Sequence, residues 1–170
     1  MTGLLVLSGL GCATLPAESE IRVTPEMLRD AVDTLPPVEP GTLRIALAFS
    51  GESDLDLGVT DPTLETIRFA RPRDTRGGKF SGDRGCGDPA PRIEIVSWKD
   101  VCPGRFEITV EHAADCGGAL MEANKSKPQW QLRIDHDGVE WKEGRIARSA
   151  FVPIIFEVER TNTTPAHCRR

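Results

Sequence analysis

The chain has 170 residues, with 26 acidic against 21 basic side chains and a formal charge of −5, which argues against general nucleic-acid binding. Aromatic residues make up 5% and there is no tyrosine, so no stacking platform for single strands is evident. The length fits one domain once a leader and a linker are set aside.

Residues 4–10 form a short apolar run, Leu4-Leu5-Val6-Leu7-Ser8-Gly9-Leu10, which breaks to Gly11-Cys12. The run is too short to span a bilayer and has the layout of a secretory signal. Small residues followed by a cysteine make it resemble a bacterial lipoprotein signal. That resemblance implies acylation at Cys12, which would then open the mature chain. Residues 1–11 would be the signal, and 12–41 a tether, a short helix and a Pro-rich linker. Cleaved secretion and a cytosolic chain with a buried Cys12 are the competing readings.

Thr24 is suited to an N-cap and Pro25 to the first helical position, and Leu28, Ala31, Val32 and Leu35 share one face. A short helix docked on the domain is expected, stopped by Pro36-Pro37-Val38-Glu39-Pro40-Gly41. From Thr42 the period changes to two. Leu43, Ile45, Leu47 and Phe49 alternate with Arg44, Ala46, Ala48 and Ser50; Leu55, Leu57 and Val59 alternate with Asp54, Asp56 and Gly58. The same alternation covers 66–69, 106–112 and 152–158, and signals half-buried strands. Asp137-Gly138 predicts a two-residue hairpin turn, which places Ile134 opposite Trp141 and His136 opposite Val139. A second hairpin is expected between 92–96 and 106–110. Seven or eight strands and one short N-terminal helix predict an all-β, antiparallel β-sandwich over 42–160, followed by a tail over 161–170.

Five cysteines occur. Without Cys12, an even set remains: Cys86, Cys102, Cys116 and Cys168. No Cys-x-x-Cys pair occurs, which speaks against structural zinc. Two disulfides in an oxidising compartment, or free buried thiols in a cytosolic protein, account for them. Cys86 and Cys116 flank the expected 92–110 hairpin at one end and Cys102 lies in its turn, so Cys86–Cys116 and Cys102–Cys168 are the feasible bridges.

Three stretches carry a family resemblance. Asp54-Leu55-Asp56-Leu57-Gly58-Val59-Thr60-Asp61-Pro62 resembles the "D-hydrophobic-D-L-x-V-x-D-P" signature of YfaP-like, DUF2135-type bacterial domains. Gly77-Gly78-Lys79-Phe80-Ser81-Gly82-Asp83 and Gly87-Asp88-Pro89-Ala90-Pro91-Arg92-Ile93-Glu94 resemble that family's Gly-rich loop and strand lead-in. Pro103-Gly104-Arg105-Phe106-Glu107-Ile108-Thr109-Val110 resembles its "P-G-x-Y-x-V-x-V" strand. The match runs over 43–112. It implies an exported β-sandwich, and by analogy with related sandwiches on secreted proteases, a module that binds calcium or matrix.

Several side-chain groups are candidate sites. Asp54 and Asp56 share one strand face, Asp61 follows at its end, and Asp83, with Asp88, lies in a Gly-rich loop. Calcium takes six to eight hard oxygens, so Asp54, Asp56, Asp61 and Asp83 are candidate calcium ligands against a plain solvated face. Arg68, Arg71, Arg73, Arg76, Lys79 and Arg84 cluster in an otherwise acidic chain. Within them Arg71, Arg73, Arg76 and Lys79 form a candidate anion-binding set, on a mobile loop that could meet lipid head groups, lipopolysaccharide phosphates or an acidic partner, against a plain solvated loop. His112, His136 and His167 are scattered. Trp98, Trp130 and Trp141 read as core more readily than as a sugar-stacking patch. Asn124-Lys125-Ser126 and Asn162-Thr163-Thr164 match glycosylation sequons, with little meaning in a bacterial chain.

No Gly-x-Ser-x-Gly, His-Glu-x-x-His or complete phosphate-loop motif is present. The reading is therefore a non-enzymatic binding or interaction module, tethered by lipid to the envelope and facing the periplasm, the outer membrane being favoured. Its partners would be the membrane and an envelope protein or surface polysaccharide, with no nucleic acid. The alternatives are a structural accessory of an envelope assembly and a hydrolase with a dispersed site.

Overall fold

The computed structural model describes residues 23–50, 53–116, 129–145 and 153–159, together with Pro165 and Cys168. Cys12, His167 and both sequons lie outside these. The described chain is all-β with one short helix. Helix α1 spans Pro25–Asp33; the strands are β1 Leu43–Phe49, β2 Ser53–Thr60, β3 Thr66–Ile67, β4 Lys79–Ser81, β5 Arg92–Trp98, β6 Gly104–Asp115, β7 Gln129–Asp135, β8 Val139–Arg145 and β9 Ile154–Val158. They form two antiparallel sheets, one ordered β4-β5-β1-β7-β8 and the other β3-β2-β6-β9.

The core lies between the sheets. Leu43, Ile45, Leu47 and Phe49 of β1 meet Leu55, Leu57 and Val59 of β2, with Phe106, Ile108, Leu132 and Ile134 completing the layer. Trp98 and Phe106 cross between the sheets edge to face, with centroids 5.2 Å apart.

The alternate residues of β1 do not face water. Ala46 and Ala48 are buried beneath α1, where they join Leu28 and Val32, with Ile93, Ile95 and Trp141 around them. Small side chains on β1 let the helix approach closely, so this strand is covered on both faces. Helix α1 starts as expected: the Thr24 hydroxyl accepts the Met27 N–H at 3.3 Å, and Pro25 needs no donor there.

A buried ionic network fastens α1 to the sheet. Arg44 donates through Nε and Nη2 to Asp135, at 2.9 and 2.7 Å. Arg133 approaches the other oxygen of Asp135 and also donates to the Val32 carbonyl and the Asp33 carboxylate. The Val32 carbonyl belongs to the last helical turn and also accepts the Leu35 N–H, so Arg133 adds a second donor there and places a cation at the negative end of the helix. Arg44 further holds the Pro36 carbonyl at 2.7 Å, turning the Pro-rich segment back onto the sheet.

Two sequence expectations are corrected. Residues 92–96 and 106–110 do not form a hairpin: β5 pairs with β1 and β4, while β6 pairs with β2 and β9 in the opposite sheet. The segment between them crosses the end of the sandwich, closed by buried Val101, whose N–H reaches the Gly41 carbonyl. The β7–β8 turn has three residues rather than two, with Asp137 at φ 51° and Asp135 opposite Val139. This one-residue change turns every β8 side chain to the other face. Ile134 therefore lies opposite Glu140, and Trp141 opposite Arg133. Trp141 joins the helix side, where the Arg29 guanidinium sits 4.6 Å from its ring centroid. Trp130 stays against the main core.

The disulfides are Cys86–Cys116 and Cys102–Cys168, with Cα separations of 5.0 and 5.3 Å. These are the expected pairs, reached by a different path. Cys86 precedes β5 in one sheet and Cys116 follows β6 in the other, so this bridge joins the two sheets. The second holds Cys168 to the crossover.

Candidate functional site

The β2 strand organises the acidic candidates. Leu55, Leu57 and Val59 point inward, so Asp54 and Asp56 share the outer face. The pairing with β6 slips between Asp54 and Leu55, and Glu111 lies opposite Asp56. Like charges directly opposite on a sheet are destabilising. Burial raises the pKa of Asp54, offset by Arg92 and reinforced by Asp83. Burial also raises Asp56, reinforced by Asp54, Asp83 and Glu111. The fold thus gathers Asp54, Asp56 and Asp83 into one negative region, with Asp88 contributing at Asp54.

Asp61 does not join them. Its carboxylate accepts from the Thr63 N–H and hydroxyl and from the Glu65 N–H, at 2.8–2.9 Å, fixing the turn after β2. Its Oδ1 takes both N–H groups and its Oδ2 the Thr63 hydroxyl, so this member of the four-aspartate calcium set is engaged within its own turn. Among the described residues no three His, Cys, Asp or Glu side chains converge closely enough to hold a metal ion.

Beneath the acidic face lie two charged residues that pattern reasoning passed over. Arg92 and Glu94 are in phase with Val96 and Trp98, so they point between the sheets, while Ile93 and Ile95 pack on the α1 side. Strand β3 covers β2 only at Val59 and Thr60, and among the described residues the rest of that edge has no neighbouring strand. Glu94 accepts the Leu57 N–H at 2.8 Å, and Arg92 donates to the Ser53 carbonyl at 3.2 Å. Inward-pointing charges thereby complete an edge that would otherwise invite another strand. Arg92 also holds the Cys86 and Asp88 carbonyls and approaches Cys116 Sγ at 3.2 Å. Glu94 takes a weaker bond from the Arg84 N–H. Desolvation pushes the Glu94 pKa up to about 7, against the two N–H donors that favour its charge. The signal in the sequence was the shared phase of Arg92, Glu94, Val96 and Trp98.

The basic candidates fall in segment 61–79, a run of turns, bridges and short strands tied together by hydrogen bonds. Three carboxylates build it from within. Asp61 fixes its first turn. Glu65 accepts from Arg71 at 2.7 Å and from the Thr75 N–H and hydroxyl. Asp74 accepts the Arg76 and Gly78 N–H groups, and its second oxygen takes the Trp98 indole N–H at 2.6 Å. Gly78 is buried where an added Cβ would meet Ile67 and the Trp98 ring, so backbone and core touch directly. Arg68, Arg71, Arg73, Arg76 and Lys79 are all exposed. Arg68 bridges to Arg71 and Arg73 to Lys79 across local antiparallel turns.

The remaining candidates disperse. His112 pairs with Asp115 at 3.0 Å, whereas His136 lies against the Thr42 carbonyl and the Phe156 ring. The three tryptophans do not form one surface: Trp98 is in the core, Trp130 packs on it, and Trp141 lies under α1. An open cleft of about 300 Å³ adjoins Trp141, lined by Arg29, Gln131 and Lys142. No helix among the described residues is long and apolar enough to cross a membrane.

Comparison of the chain with family models, with curated proteins and with solved structures returns no match.

Proposed function

We propose that the chain is an exported binding or interaction module, tethered to the cell envelope through Cys12 and carrying no catalytic centre. The observation that supports export is the pair of disulfides, one joining the two sheets and one holding Cys168 to the crossover. Such bridges persist in oxidising compartments and are rare in a reducing cytosol. The leader, Leu4-Leu5-Val6-Leu7-Ser8-Gly9-Leu10-Gly11-Cys12, supplies the tether. The DUF2135-like motifs over 54–62 and 103–110 agree with an exported sandwich. A binding role is supported by the separation of charge on a rigid frame. Aspartates gather on β2 and cations on 61–79, with Trp141, His112 and His136 committed to packing and local pairs.

The test is fractionation of cells expressing the full chain and its Cys12→Ala variant. The wild type is expected in the membrane fraction with both bridges formed, and the variant in the soluble envelope fraction. Equal membrane retention of the two would overturn the lipid tether. Free thiols at Cys86, Cys102, Cys116 and Cys168 in freshly trapped protein would overturn export.

A further inference from the structure

The strongest unassigned feature is the outward surface of segment 61–79. Its three acids are consumed internally by Thr63, Glu65, Arg71, Thr75, Arg76, Gly78 and Trp98, which leaves cations to dominate the exposed side. Arg68 faces Arg71 and Arg73 faces Lys79 across backbone bridges. Direct cross-strand pairing of like charges costs stability, and an anion placed between them reverses that cost. Only Arg71 of the five forms an ion pair among the described residues, with Glu65. The same segment holds two large apolar side chains in the open. Leu64 is 84% exposed, held at φ 68° by the Asp61 turn, and Phe69 is 46% exposed at the tip between Arg68 and Arg71.

We propose that segment 61–79 is a docking surface for an anionic lipid bilayer. Arg68, Arg71, Arg73, Arg76 and Lys79 meet phosphate-bearing head groups, and Leu64 and Phe69 enter the interface. A polysaccharide or an acidic protein would satisfy the cations but gives no reason for exposed Leu64 and Phe69 beside them. Exposed cations interspersed along one segment with exposed apolar side chains are the composition of interfacial membrane binding. The turns locked by Asp61, Glu65 and Asp74 set these side chains out in advance, so little ordering accompanies binding. The proposal deepens the binding-module reading and does not depend on the Cys12 lipid.

The experiment is co-sedimentation of the full, unacylated chain with two kinds of vesicle, phosphatidylcholine alone and phosphatidylcholine mixed with phosphatidylglycerol. The leader is present in every sample, so the variants isolate the segment. Wild type is expected to favour the anionic vesicles and to lose that preference as salt rises. Replacing Arg68, Arg73 and Arg76 together by Gln is expected to weaken anionic-vesicle binding about tenfold or more. Leu64→Ser with Phe69→Ser, both at exposed positions, is expected to weaken it severalfold while leaving the melting temperature unchanged. Equal binding to both vesicle types overturns the proposal, as does wild-type binding by the triple Gln variant. Binding to a soluble polyanion but to neither vesicle also overturns it, in favour of a polysaccharide or protein partner. None of these outcomes bears on the fractionation of wild type against Cys12→Ala, so failure of the docking surface and failure of the tether are separable.

Discussion

Glu94 of β5 reaches across the sandwich to the backbone N–H of Leu57 in the opposite sheet, 2.8 Å away. This buried carboxyl group meets an edge N–H that no strand among the described residues covers, and burial pushes its pKa up to about 7. A carboxyl group whose pKa is higher in the folded chain than the ordinary 4.5 stabilises folding most when protonated. Its contribution is full below about pH 4.5 and is lost as pH rises to about 7, by up to about 3 kcal/mol. The raised Asp54 and Asp56 act in the same direction. Urea unfolding at about pH 5 and about pH 8 is expected to show lower stability at the higher value. Glu94→Gln keeps an acceptor for Leu57 and should remove most of that difference. An unchanged pH dependence in the variant would show that Glu94 is not its source.

Asp135 sits between Arg44 and Arg133, all three buried. Asp135→Ala is expected to lower stability by about 3–5 kcal/mol, because it leaves the buried Arg44 without its carboxylate and Arg133 with only the exposed Asp33. Asp33 meets the same Arg133 from an exposed position, its side chain 55% accessible. Asp33→Ala is expected to cost under about 1 kcal/mol. Chemical denaturation of the two variants measures the contrast, and equal losses would show that burial does not govern this network.

Asp74 has two separable tasks, one within its turn and one at Trp98. Asp74→Ala removes both, whereas Trp98→Phe leaves the turn acceptors in place and removes the indole donor together with part of a core ring. Trypsin should cut after Arg73 and Arg76 faster in Asp74→Ala than in Trp98→Phe. Both variants should lose stability by about 1–3 kcal/mol, the first by orphaning a buried donor and the second by orphaning a carboxylate oxygen. Equal cleavage rates would mean that the turn does not depend on the Asp74 side chain.

Gly82 and Gly87 lie five residues apart, on either side of Asp83, Arg84 and Cys86. Gly82 has φ +82°, and a Cβ there would come within 2.6 Å of the Ile93 carbonyl oxygen. Around Gly87 a Cβ meets nothing within 4 Å. Gly82→Ala is expected to cost about 1–3 kcal/mol and Gly87→Ala close to nothing. Thermal melts of the pair would decide it, with similar melting temperatures counting against the geometry of this loop.

Much of the fold was legible in the pattern of side chains. Period-two alternation located β1, β2, β3, β6 and β9, the Asp137-Gly138 turn located β7 and β8, and Thr24-Pro25 with Leu28 and Val32 announced α1, because these signals are local. Strand partnership was not local. The sequence neighbours β5 and β6 were expected to pair, yet each found a better-matched partner elsewhere, β5 along Leu43–Phe49 and β6 along Ser53–Thr60. Alternation says which residues share a face, not which strand lies beside them. The turn at Asp137 shows the same limit in miniature: a three-residue loop in place of two reversed β8, and Trp141 left the expected core for the helix side.

The even set Cys86, Cys102, Cys116 and Cys168 was enough to anticipate two bridges, because cysteine count and spacing are written in composition and order. The sequence also placed Asp54 and Asp56 on one face and clustered the arginines of 68–76. Only the tertiary structure decided what those charges do. It spent Asp61, Glu65 and Asp74 on backbone N–H groups, left the neighbouring cations outside, and buried Arg92 and Glu94 between the sheets. A charge takes its role from its desolvation and its partners, and both are set by strands distant in the chain.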